Sequence, residues 1–383
     1  MDDCLVIGAG VIGLSIAYEL SGHGLRVRVI DRQRPAAEAS WAGAGILPPP
    51  PATPQTPLEQ LAALSVRLHS EWARQLRNET GIDNEYRRCG AWYLRMQDVS
   101  EPVAVTGPEM TRRADYVNGH PMVQSVKLRE VAESEPALAV VCSEKAILAA
   151  GLANDEAQLR NPRHLQALLS ACECRGVKVE SDVEVTGFWV SAGQVVGAQT
   201  SSGPKYAGTF CVTSGAWTGQ LTEMVGISIP LVPIRGQMVL LRNPQPGLRR
   251  IVNVGKRYLV PRLDGRVLVG STEENVGYEK CNTDEGIAGL LDFAGTLVPH
   301  WRTAEVERTW AGLRPATSDE MPYLGRAPAL DNLFVAAGHF RSGIYLSPAT
   351  AVVMSELIRG LPPSIDLSAF RIDRDVPPTL ASP

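Results

Sequence analysis

The sequence predicts an α/β fold in which a nucleotide-binding domain, divided along the chain, carries an inserted second domain. Three observations predict this. The chain opens with a strand, a glycine turn, a helix and a second strand. Further buried strands that end in small-residue turns lie in the middle of the chain and near its C-terminus. A β-rich segment separates the middle strand from the C-terminal one. At 383 residues the chain is also long for a single hydrophobic core, so two domains are expected.

The opening segment has the residues that a dinucleotide site needs. An apolar run, residues 5–7, leads into Gly8-x-Gly10-x-x-Gly13, a helical pattern follows, and a second apolar strand ends at Asp31. Gly8 permits a tight turn, Gly10 lets the backbone approach a pyrophosphate, and Gly13 lets the helix lie close to the strand. The N-terminus of the helix attracts phosphates, and Asp31 would accept hydrogen bonds from a ribose.

The later elements repeat the strand-and-turn pattern. Asn161-Pro162 predicts a helix start with Asn161 as its cap, and that helix ends at Gly176. The buried strands near residues 209–213 and 333–337 each run into a small-residue turn, whereas residues 230–275 are rich in strands. A simple dehydrogenase would keep its cofactor elements in one block. This interleaving favours a flavin enzyme with a substrate domain inserted into a cofactor domain.

The same pattern gives the domain boundaries. We expect a discontinuous Rossmann-like FAD-binding domain formed by residues 1–80, 150–222 and 306–383. The inserted substrate-binding domain would comprise residues 81–149 and 223–305, with an α+β architecture built on an antiparallel sheet.

Composition excludes several other classes of protein. A net charge of −4 gives no general reason to expect nucleic acid as a partner. No uncharged stretch is long enough for a membrane span, and the acidic start Met1-Asp2-Asp3 does not fit a signal peptide. The seven cysteines form no CxxC pair and the six histidines are scattered, so we expect no metal site. These features predict a cytoplasmic protein.

Five patches of sequence resemble the FAD-dependent D-amino-acid oxidase family, most closely its glycine-oxidase branch, which acts in thiamine biosynthesis in many bacteria. They are residues 6–13 with 31–32, residues 39–47, residues 214–217, residues 258–262 with 270–272, and residues 312–315 with 338–344. The first and third patches are common to many flavoproteins, and the other three together are specific to amine and amino-acid oxidases.

The resemblance implies an enzyme with non-covalent FAD. It would oxidise glycine, sarcosine or a small D-amino acid by hydride transfer to flavin N5, and the imino acid would hydrolyse to a 2-oxo acid and ammonia. Molecular oxygen would reoxidise the flavin to give hydrogen peroxide. The resemblance also suggests a homo-oligomer.

Three residues are the candidate catalytic groups. Arg314 lies among apolar and rigid neighbours, and a guanidinium can bind a carboxylate through two parallel hydrogen bonds. The family uses this arginine to hold the substrate carboxylate, although a structural ion pair with an internal acid stays an alternative. Tyr258 resembles the tyrosine whose hydroxyl assists on the same carboxylate. Arg341 resembles a second arginine, close to the flavin, whose charge would stabilise the reduced form.

The candidate cofactor-binding residues come from all parts of the predicted FAD domain. The segment 39–47 is rich in glycine and alanine, so backbone amides could reach the edge of the flavin ring, and Val183 resembles a residue that contacts the adenine end through its backbone. The full set is Gly8, Gly10, Val11, Ile12, Gly13, Asp31, Arg32, Ala39, Ser40, Ala44, Gly45, Ile46, Val183, Gly215, Trp217, Gly338, His339, Phe340, Arg341, Ser342, Gly343 and Ile344.

Two further residues could act on the substrate. Glu273 falls where glycine oxidases can have an apolar residue that faces the substrate. We hypothesise that Glu273 shapes substrate choice by attracting an amino group or a basic side chain. The alternative is that Glu273 is a solvated acid on a turn. His339 could be proposed as a base, but a histidine just after a glycine turn is more often a hydrogen-bonded structural residue. Direct hydride transfer requires no general base.

Three other functions stay open at this point. A D-amino-acid dehydrogenase would pass electrons to a quinone or a protein instead of oxygen. A sarcosine oxidase with covalent flavin needs a cysteine near the late flavin segment, whereas the last cysteine here is Cys281. A non-catalytic flavoprotein subunit would have no reason to keep Tyr258, Arg314 and Arg341 together.

Overall fold

The computed structural model describes residues 1–97, 122–144 and 146–375. The first half contains β1 (Asp2–Ile7), α1 (Val11–Gly22), β2 (Val27–Ile30), α2 (Ala39–Ala42), β3 (Ile46–Leu47), α3 (Pro57–Thr80), β4 (Arg87–Arg88), β5 (Ala91–Met96), β6 (Gln124–Val126), α4 (Leu128–Ser134), α5 (Ala139–Ser143), β7 (Ile147–Ala153), β8 (Ala157–Gln158), α6 (Asn161–Cys174) and β9 (Lys178–Glu180). The second half contains β10 (Val185–Ser191), β11 (Gln194–Thr200), β12 (Ala207–Val212), α7 (Thr218–Glu223), β13 (Val232–Leu241), β14 (Ile251–Val254), β15 (Arg257–Pro261), β16 (Val267–Gly270), α8 (Asp284–Leu297), β17 (Val306–Ala316), β18 (Tyr323–Arg326), β19 (Leu333–Ala337) and α9 (Gly343–Ile358). Short 3₁₀-helices cover Pro136–Leu138, Gly215–Trp217, Pro299–Thr303 and Ser368–Phe370.

A six-stranded sheet carries the nucleotide-binding pattern. Its strands lie in the order β18-β19-β12-β1-β2-β9, and the five strands from β19 to β9 are parallel. Helices α1, α3, α6 and α9 pack together beside it, because their apolar faces share one core with this sheet. The sheet draws strands from both ends and the middle of the chain. The predicted α/β class with a discontinuous Rossmann-like unit is confirmed.

An eight-stranded sheet forms the second layer of strands. Its order is β17-β13-β16-β15-β14-β5-β7-β6, and its neighbours are antiparallel except for β14 and β5, which are parallel. Helices α4, α5 and α8 cover one face through a separate apolar core. The opposite face, which carries Tyr258 and Met238, belongs to a smaller cluster that also contains Ala44 and Ile46. This second face therefore meets the segment 39–47.

Strand β17 brings the eight-stranded sheet against the segment 39–47. Side chains alternate along a strand, so Trp310, Gly312 and Arg314 share one face. Trp310 Nε1 donates to the carbonyl of Ala42 at 3.1 Å, and a Cβ at Gly312 would lie 2.5 Å from the Cβ of Ala42. The absence of a side chain at Gly312 therefore lets β17 lie against the segment 39–47.

The strand pairing differs from two of the predicted domain boundaries. Residues 306–316 were expected in the FAD-binding domain, but they form β17 and pair with β13 over almost its whole length. Strand β7 (Ile147–Ala153) crosses the expected boundary between residues 149 and 150. Both strands belong to the eight-stranded sheet because long-range pairing, which composition does not show, decides their partners. The division into two domains stays a prediction.

Helix α6 begins where Asn161-Pro162 predicted, but Asn161 does not act as its cap. The cap position is Arg160, and the Asn161 amide instead donates from Nδ2 to the carbonyl of Ser40 at 2.8 Å. Proline at the second helical position still fits the helix start. Gly176 follows the helix with φ of 79°, the left-handed conformation that glycine adopts most easily. Asn161 therefore ties α6 to the segment 39–47.

Across residues 1–97, 122–144 and 146–375, no helix combines the length with the apolar character that a bilayer crossing needs. The same residues contain no cluster of three or more His, Cys, Asp or Glu side chains that could hold a metal ion.

Two buried histidines make the fold sensitive to acid. His69 Nε2 lies 2.9 Å from the carbonyl of Tyr345, and Asn84 Nδ2 donates to Nδ1 of His164 at 3.1 Å. Burial lowers the pKa of His69 to about 4 and that of His164 to about 3. Both values lie below the ordinary pKa of 6.5, so the unfolded chain takes up protons first as the pH falls.

We therefore expect the free energy of unfolding to fall between pH 7 and pH 5 by about 2 kcal/mol per histidine. Urea unfolding across this range measures the slope. Replacing both residues, as His69→Gln with His164→Asn, should make the slope shallower without abolishing it, because a third buried histidine, His339, also has a pKa lowered to about 3. Replacing the exposed His300 should leave the slope unchanged. An unchanged slope in the double variant would contradict this account.

Candidate active site

The glycine turn after β1 adopts the geometry expected of a phosphate-binding loop. Gly8 has φ of 112°, and a Cβ there would lie 2.7 Å from the carbonyl oxygen of Thr213. A Cβ at Gly13 would lie 2.0 Å from the carbonyl oxygen of Gly8, so helix α1 packs directly on the turn. Gly10 precedes the helix, where the Val11 N–H donates to Ser40 Oγ at 3.0 Å. The N-terminus of α1 and the Ser40 hydroxyl thus face one cavity.

Asp31 joins the second strand to this turn. One carboxylate oxygen accepts from the Ala9 N–H at 2.7 Å, and the other accepts from the Gln33 N–H at 2.9 Å. Burial raises the pKa of Asp31, although the two N–H donors oppose this effect. The carboxylate lines the cavity and retains acceptor capacity for a ribose hydroxyl, since a carboxylate offers about four lone-pair sites.

The far end of the cavity is built around a tryptophan. The guanidinium of Arg32 lies 4.0 Å from the centre of the Trp217 ring, a cation–π arrangement, and Tyr278 packs against the same ring. The Val183 N–H donates to the carbonyl of Asp31 at 2.8 Å. If Val183 contacts a ligand through its backbone, as expected, the carbonyl oxygen is therefore the available group.

The segment 39–47 presents backbone N–H groups to the cavity. The carbonyl of Ala44 accepts from Arg262 and the carbonyl of Gly45 accepts from the Leu159 N–H. Among the residues that the structure describes, the N–H groups of Ala44 and Gly45 have no acceptor, and both residues line the cavity. Unpaired buried N–H groups are costly, so they fit a ligand that supplies acceptors, as the edge of a flavin ring does.

Arg314 projects from β17 into the cavity wall. Its Nη2 donates to Ser271 Oγ at 2.8 Å and its Nη1 donates to the carbonyl of Thr272 at 3.2 Å. A Cβ at Gly236, on the neighbouring strand, would lie 2.2 Å from both terminal nitrogens, so the guanidinium occupies the space that this glycine leaves. Within the described part of the chain, no carboxylate pairs with Arg314. The alternative of an ion pair with an internal acid therefore does not apply there.

Tyr258 is buried on the same side of the eight-stranded sheet. It lies opposite Gly270 on β16, and a Cβ at Gly270 would come within 2.6 Å of the tyrosine ring. The Tyr258 hydroxyl lies 3.6 Å from Sδ of Met238 and the residue lines the cavity. Tyr258 and Arg314 thus contribute to one cavity wall from different strands.

Arg341 is an ion-paired arginine. Its Nη1 lies 3.7 Å from Oε2 of Glu273, which also lies 3.4 Å from Nζ of Lys256. Nη2 of Arg341 donates to the carbonyl of Lys256 at 3.2 Å. Arg341 lines the cavity, whereas Glu273 does not form part of its wall. Glu273 therefore meets basic side chains of the protein itself.

His339 is buried in the cavity wall with its Nε2 3.1 Å from Oγ1 of Thr350. Burial lowers its pKa to about 3, so the ring is neutral at ordinary pH. A base with this pKa would accept a proton only weakly at neutral pH. The geometry agrees with the structural role predicted for it.

The cavity gathers most of the predicted site residues. Three lie outside its wall: Gly13, which packs α1 on the turn, Gly338, which forms a turn with φ of 79°, and Ser342, which precedes α9. Sequence reasoning missed Gly236 and Ser271 as neighbours of Arg314, and it missed Arg262 and Asn161, which hold the segment 39–47. Arg262 and Ser271 lie inside the patches that resemble the family, but the contacts of all four residues join distant parts of the chain, so no local pattern shows what they touch.

Comparison with known proteins identifies the family. The model of the FAD-dependent oxidoreductase family DAO matches residues 3–357. Glycine oxidase of Pseudomonas aeruginosa is 34% identical over 369 residues, which cover 96% of this chain and 97% of that protein. The bifunctional protein ThiO/ThiG of Nostoc is 32% identical over 93% of this chain and 52% of its own length. The crystal structure of glycine oxidase from Geobacillus kaustophilus has a TM-score of 0.88 and 31% identity, covering 98% of this chain and 99% of that one.

The cavity fits the cofactor of that family. The glycine turn and helix N-terminus suit a pyrophosphate, Asp31 suits a ribose, and the unpaired N–H groups of Ala44 and Gly45 suit a flavin edge. The chain belongs to the DAO family of FAD-dependent oxidoreductases, and FAD is its cofactor.

Proposed function

We propose that this enzyme oxidises glycine, sarcosine or a small D-amino acid, with molecular oxygen as the electron acceptor. The amino acid loses a hydride from its α-carbon and a proton from its amino group and becomes an imino acid. Water then converts the imino acid to a 2-oxo acid and ammonia (methylamine from sarcosine). Oxygen takes up two electrons and two protons and becomes hydrogen peroxide.

The proposal depends on Arg314, whose charge has no carboxylate partner among the described residues. Its guanidinium lines the cavity, and its hydrogen bonds to other described residues go to uncharged oxygens of Ser271 and Thr272. A partly buried cation without a carboxylate partner is costly unless a ligand supplies the negative charge. A planar guanidinium binds a carboxylate through two parallel hydrogen bonds, which also fixes its orientation. The carboxylate of a small amino acid meets both requirements.

The remaining residues at this end of the cavity orient the substrate. The hydroxyl of Tyr258 is a hydrogen-bond donor beside the carboxylate site, and Arg341 adds a second, ion-paired cation. The acidic residues of the described cavity wall are Asp31 and Glu184, in the nucleotide-binding part, and Glu38, which immediately precedes the segment 39–47. When bound, FAD accepts the two electrons and the hydrogen that leave the α-carbon. The protein contributes binding and orientation.

The named relatives support this substrate class. Two of them carry the name glycine oxidase, one from Pseudomonas aeruginosa and one from Geobacillus kaustophilus, and both match this chain over nearly its whole length. In the described residues no cysteine lines the cavity, which supports non-covalent FAD. A homo-oligomer, a cytoplasmic location and a role in thiamine biosynthesis stay implications of the family resemblance.

The test is anaerobic addition of glycine, sarcosine, D-alanine or D-proline to the FAD-loaded protein, followed by air. We expect loss of the yellow flavin absorbance, then its return with one peroxide formed per reduced FAD. Return with a quinone dye but not with oxygen would instead assign a D-amino-acid dehydrogenase. No loss of absorbance with any of these compounds would overturn the proposal.

The same assay tests the arginine. Arg314→Met should lower kcat/KM for the best substrate by roughly 100-fold, the equivalent of about 2.7 kcal/mol, because it removes both hydrogen bonds and the charge. Arg326→Met is the control, since Arg326 is exposed on β18 and outside the cavity wall. Equal activity of the two variants would contradict the role of Arg314.

Glu273 gives a separate prediction about substrate choice. Because Glu273 pairs with Arg341 and Lys256, it offsets positive charge at this end of the cavity. We expect Glu273→Gln to improve kcat/KM for iminodiacetate or D-aspartate relative to glycine by roughly fivefold, the equivalent of about 1 kcal/mol for a partly exposed ion pair. Glu305→Gln removes an exposed acid from outside the cavity wall and should leave the ratio unchanged. An unchanged ratio in Glu273→Gln would refute any role of this residue in substrate choice.

A further inference from the structure

A buried arginine lies directly behind the segment 39–47. Arg262 follows the last residue of β15, the strand that also carries Tyr258. Its Nη1 donates to Gln158 Oε1 at 2.9 Å and to the carbonyl of Leu159 at 3.0 Å, and its Nη2 donates to the carbonyl of Ala44 at 2.8 Å. The side chain therefore joins the eight-stranded sheet to the segment 39–47 and to the chain before α6.

Among the residues that the structure describes, no carboxylate lies within ion-pair distance of Arg262. All three of its acceptors are uncharged, and in the described part of the chain no carboxylate forms a salt bridge with it. Burial lowers the pKa of Arg262 to about 10, which still leaves the guanidinium protonated at neutral pH. Burying an uncompensated cation costs free energy. Such a cost suggests a function beyond packing.

The hydrogen bond to Ala44 determines where the next N–H points. In a trans peptide the C=O of one residue and the N–H of the next point in opposite directions. Because the Ala44 carbonyl points to Arg262, the Gly45 N–H points away from it. Gly45 lines the cavity, and its N–H has no acceptor among the residues described. This N–H is therefore available to a ligand on the cavity side.

Other hydrogen bonds hold the same segment. Asn161 Nδ2 donates to the carbonyl of Ser40, Trp310 Nε1 donates to the carbonyl of Ala42, and the Leu159 N–H donates to the carbonyl of Gly45. These donors are all neutral. Arg262 is the charged donor of this set, and it donates to the carbonyl of the peptide between Ala44 and Gly45.

We propose that Arg262 is a positioning residue. It holds the Ala44–Gly45 peptide with its N–H directed at FAD, and its charge, which lies behind that peptide, makes FAD easier to reduce. A bound FAD that accepts a hydride becomes more negative by one charge. A fixed N–H dipole backed by a cation in a site of low dielectric stabilises that charge. The inference rests on FAD binding and is independent of which amino acid is the substrate.

The midpoint potential of FAD in the purified holoenzyme tests this. The potential is measured against a redox dye, without any amino acid, in the parent protein, Arg262→Met, Arg262→Lys and Arg257→Met. Arg257 begins the same strand but is exposed and outside the cavity wall, so it is the matched control. We expect Arg262→Met to lower the potential by about 30 mV, equal to a tenfold change in the ratio of reduced to oxidised FAD at a fixed potential. Arg262→Lys, which keeps the charge, should restore at least half of this difference.

Two results would overturn the proposal. One is a potential in Arg262→Met equal to that of the Arg257→Met control, which would leave Arg262 with a purely structural role. The other is an equal fall in Arg262→Lys and Arg262→Met, which would exclude an effect of charge. If Arg262→Met does not retain FAD, Arg262→Gln and Arg262→Lys are compared in the same way. Because no amino acid is present, the result does not depend on whether the proposed substrate is correct.

Discussion

The site depends on one guanidinium whose charge the described protein does not neutralise. Arg314 contacts two uncharged oxygens and fills the space left by Gly236, so its terminal nitrogens lie against a strand without a side chain. Gly312, two residues earlier, lets the same strand lie against Ala42. A cation thus lies beside the segment that faces the cofactor. A small zwitterion with a carboxylate fits this arrangement because it brings the missing negative charge.

The cofactor end of the cavity offers backbone hydrogen-bond donors instead of a charged side chain. There the protein offers backbone groups: the turn around Gly8 and Gly10, the N-terminus of α1 and the unpaired N–H groups of Ala44 and Gly45. Backbone donors are directed by the fold itself and need no side-chain reorganisation. Arg262 connects the two ends, since it extends the strand of Tyr258 and holds the Ala44 carbonyl.

Sequence reasoning predicted which residues share the cavity where short motifs mark them, and the roles of these residues stay predictions. The glycine turn, Asp31 and Arg314 lie in short motifs whose chemistry is readable residue by residue, and the structure brings all of them to one cavity. It failed where contacts join distant residues. The partners of Glu273, which are Lys256 and Arg341, could not be read from a turn sequence. In the same way, β17 joined the eight-stranded sheet because of its pairing with β13, which no composition change along the chain marks.

The most direct test of the central claim is binding of a carboxylate that cannot react, followed through the absorbance of bound FAD. Glycolate and its uncharged analogue glycolamide are titrated into the parent protein and into Arg314→Met. The account predicts that the parent protein binds glycolate, that Arg314→Met binds it roughly 100-fold more weakly, and that glycolamide binds both proteins equally weakly. Equal affinity of the two proteins for glycolate would contradict the account, since the carboxylate would then be held elsewhere.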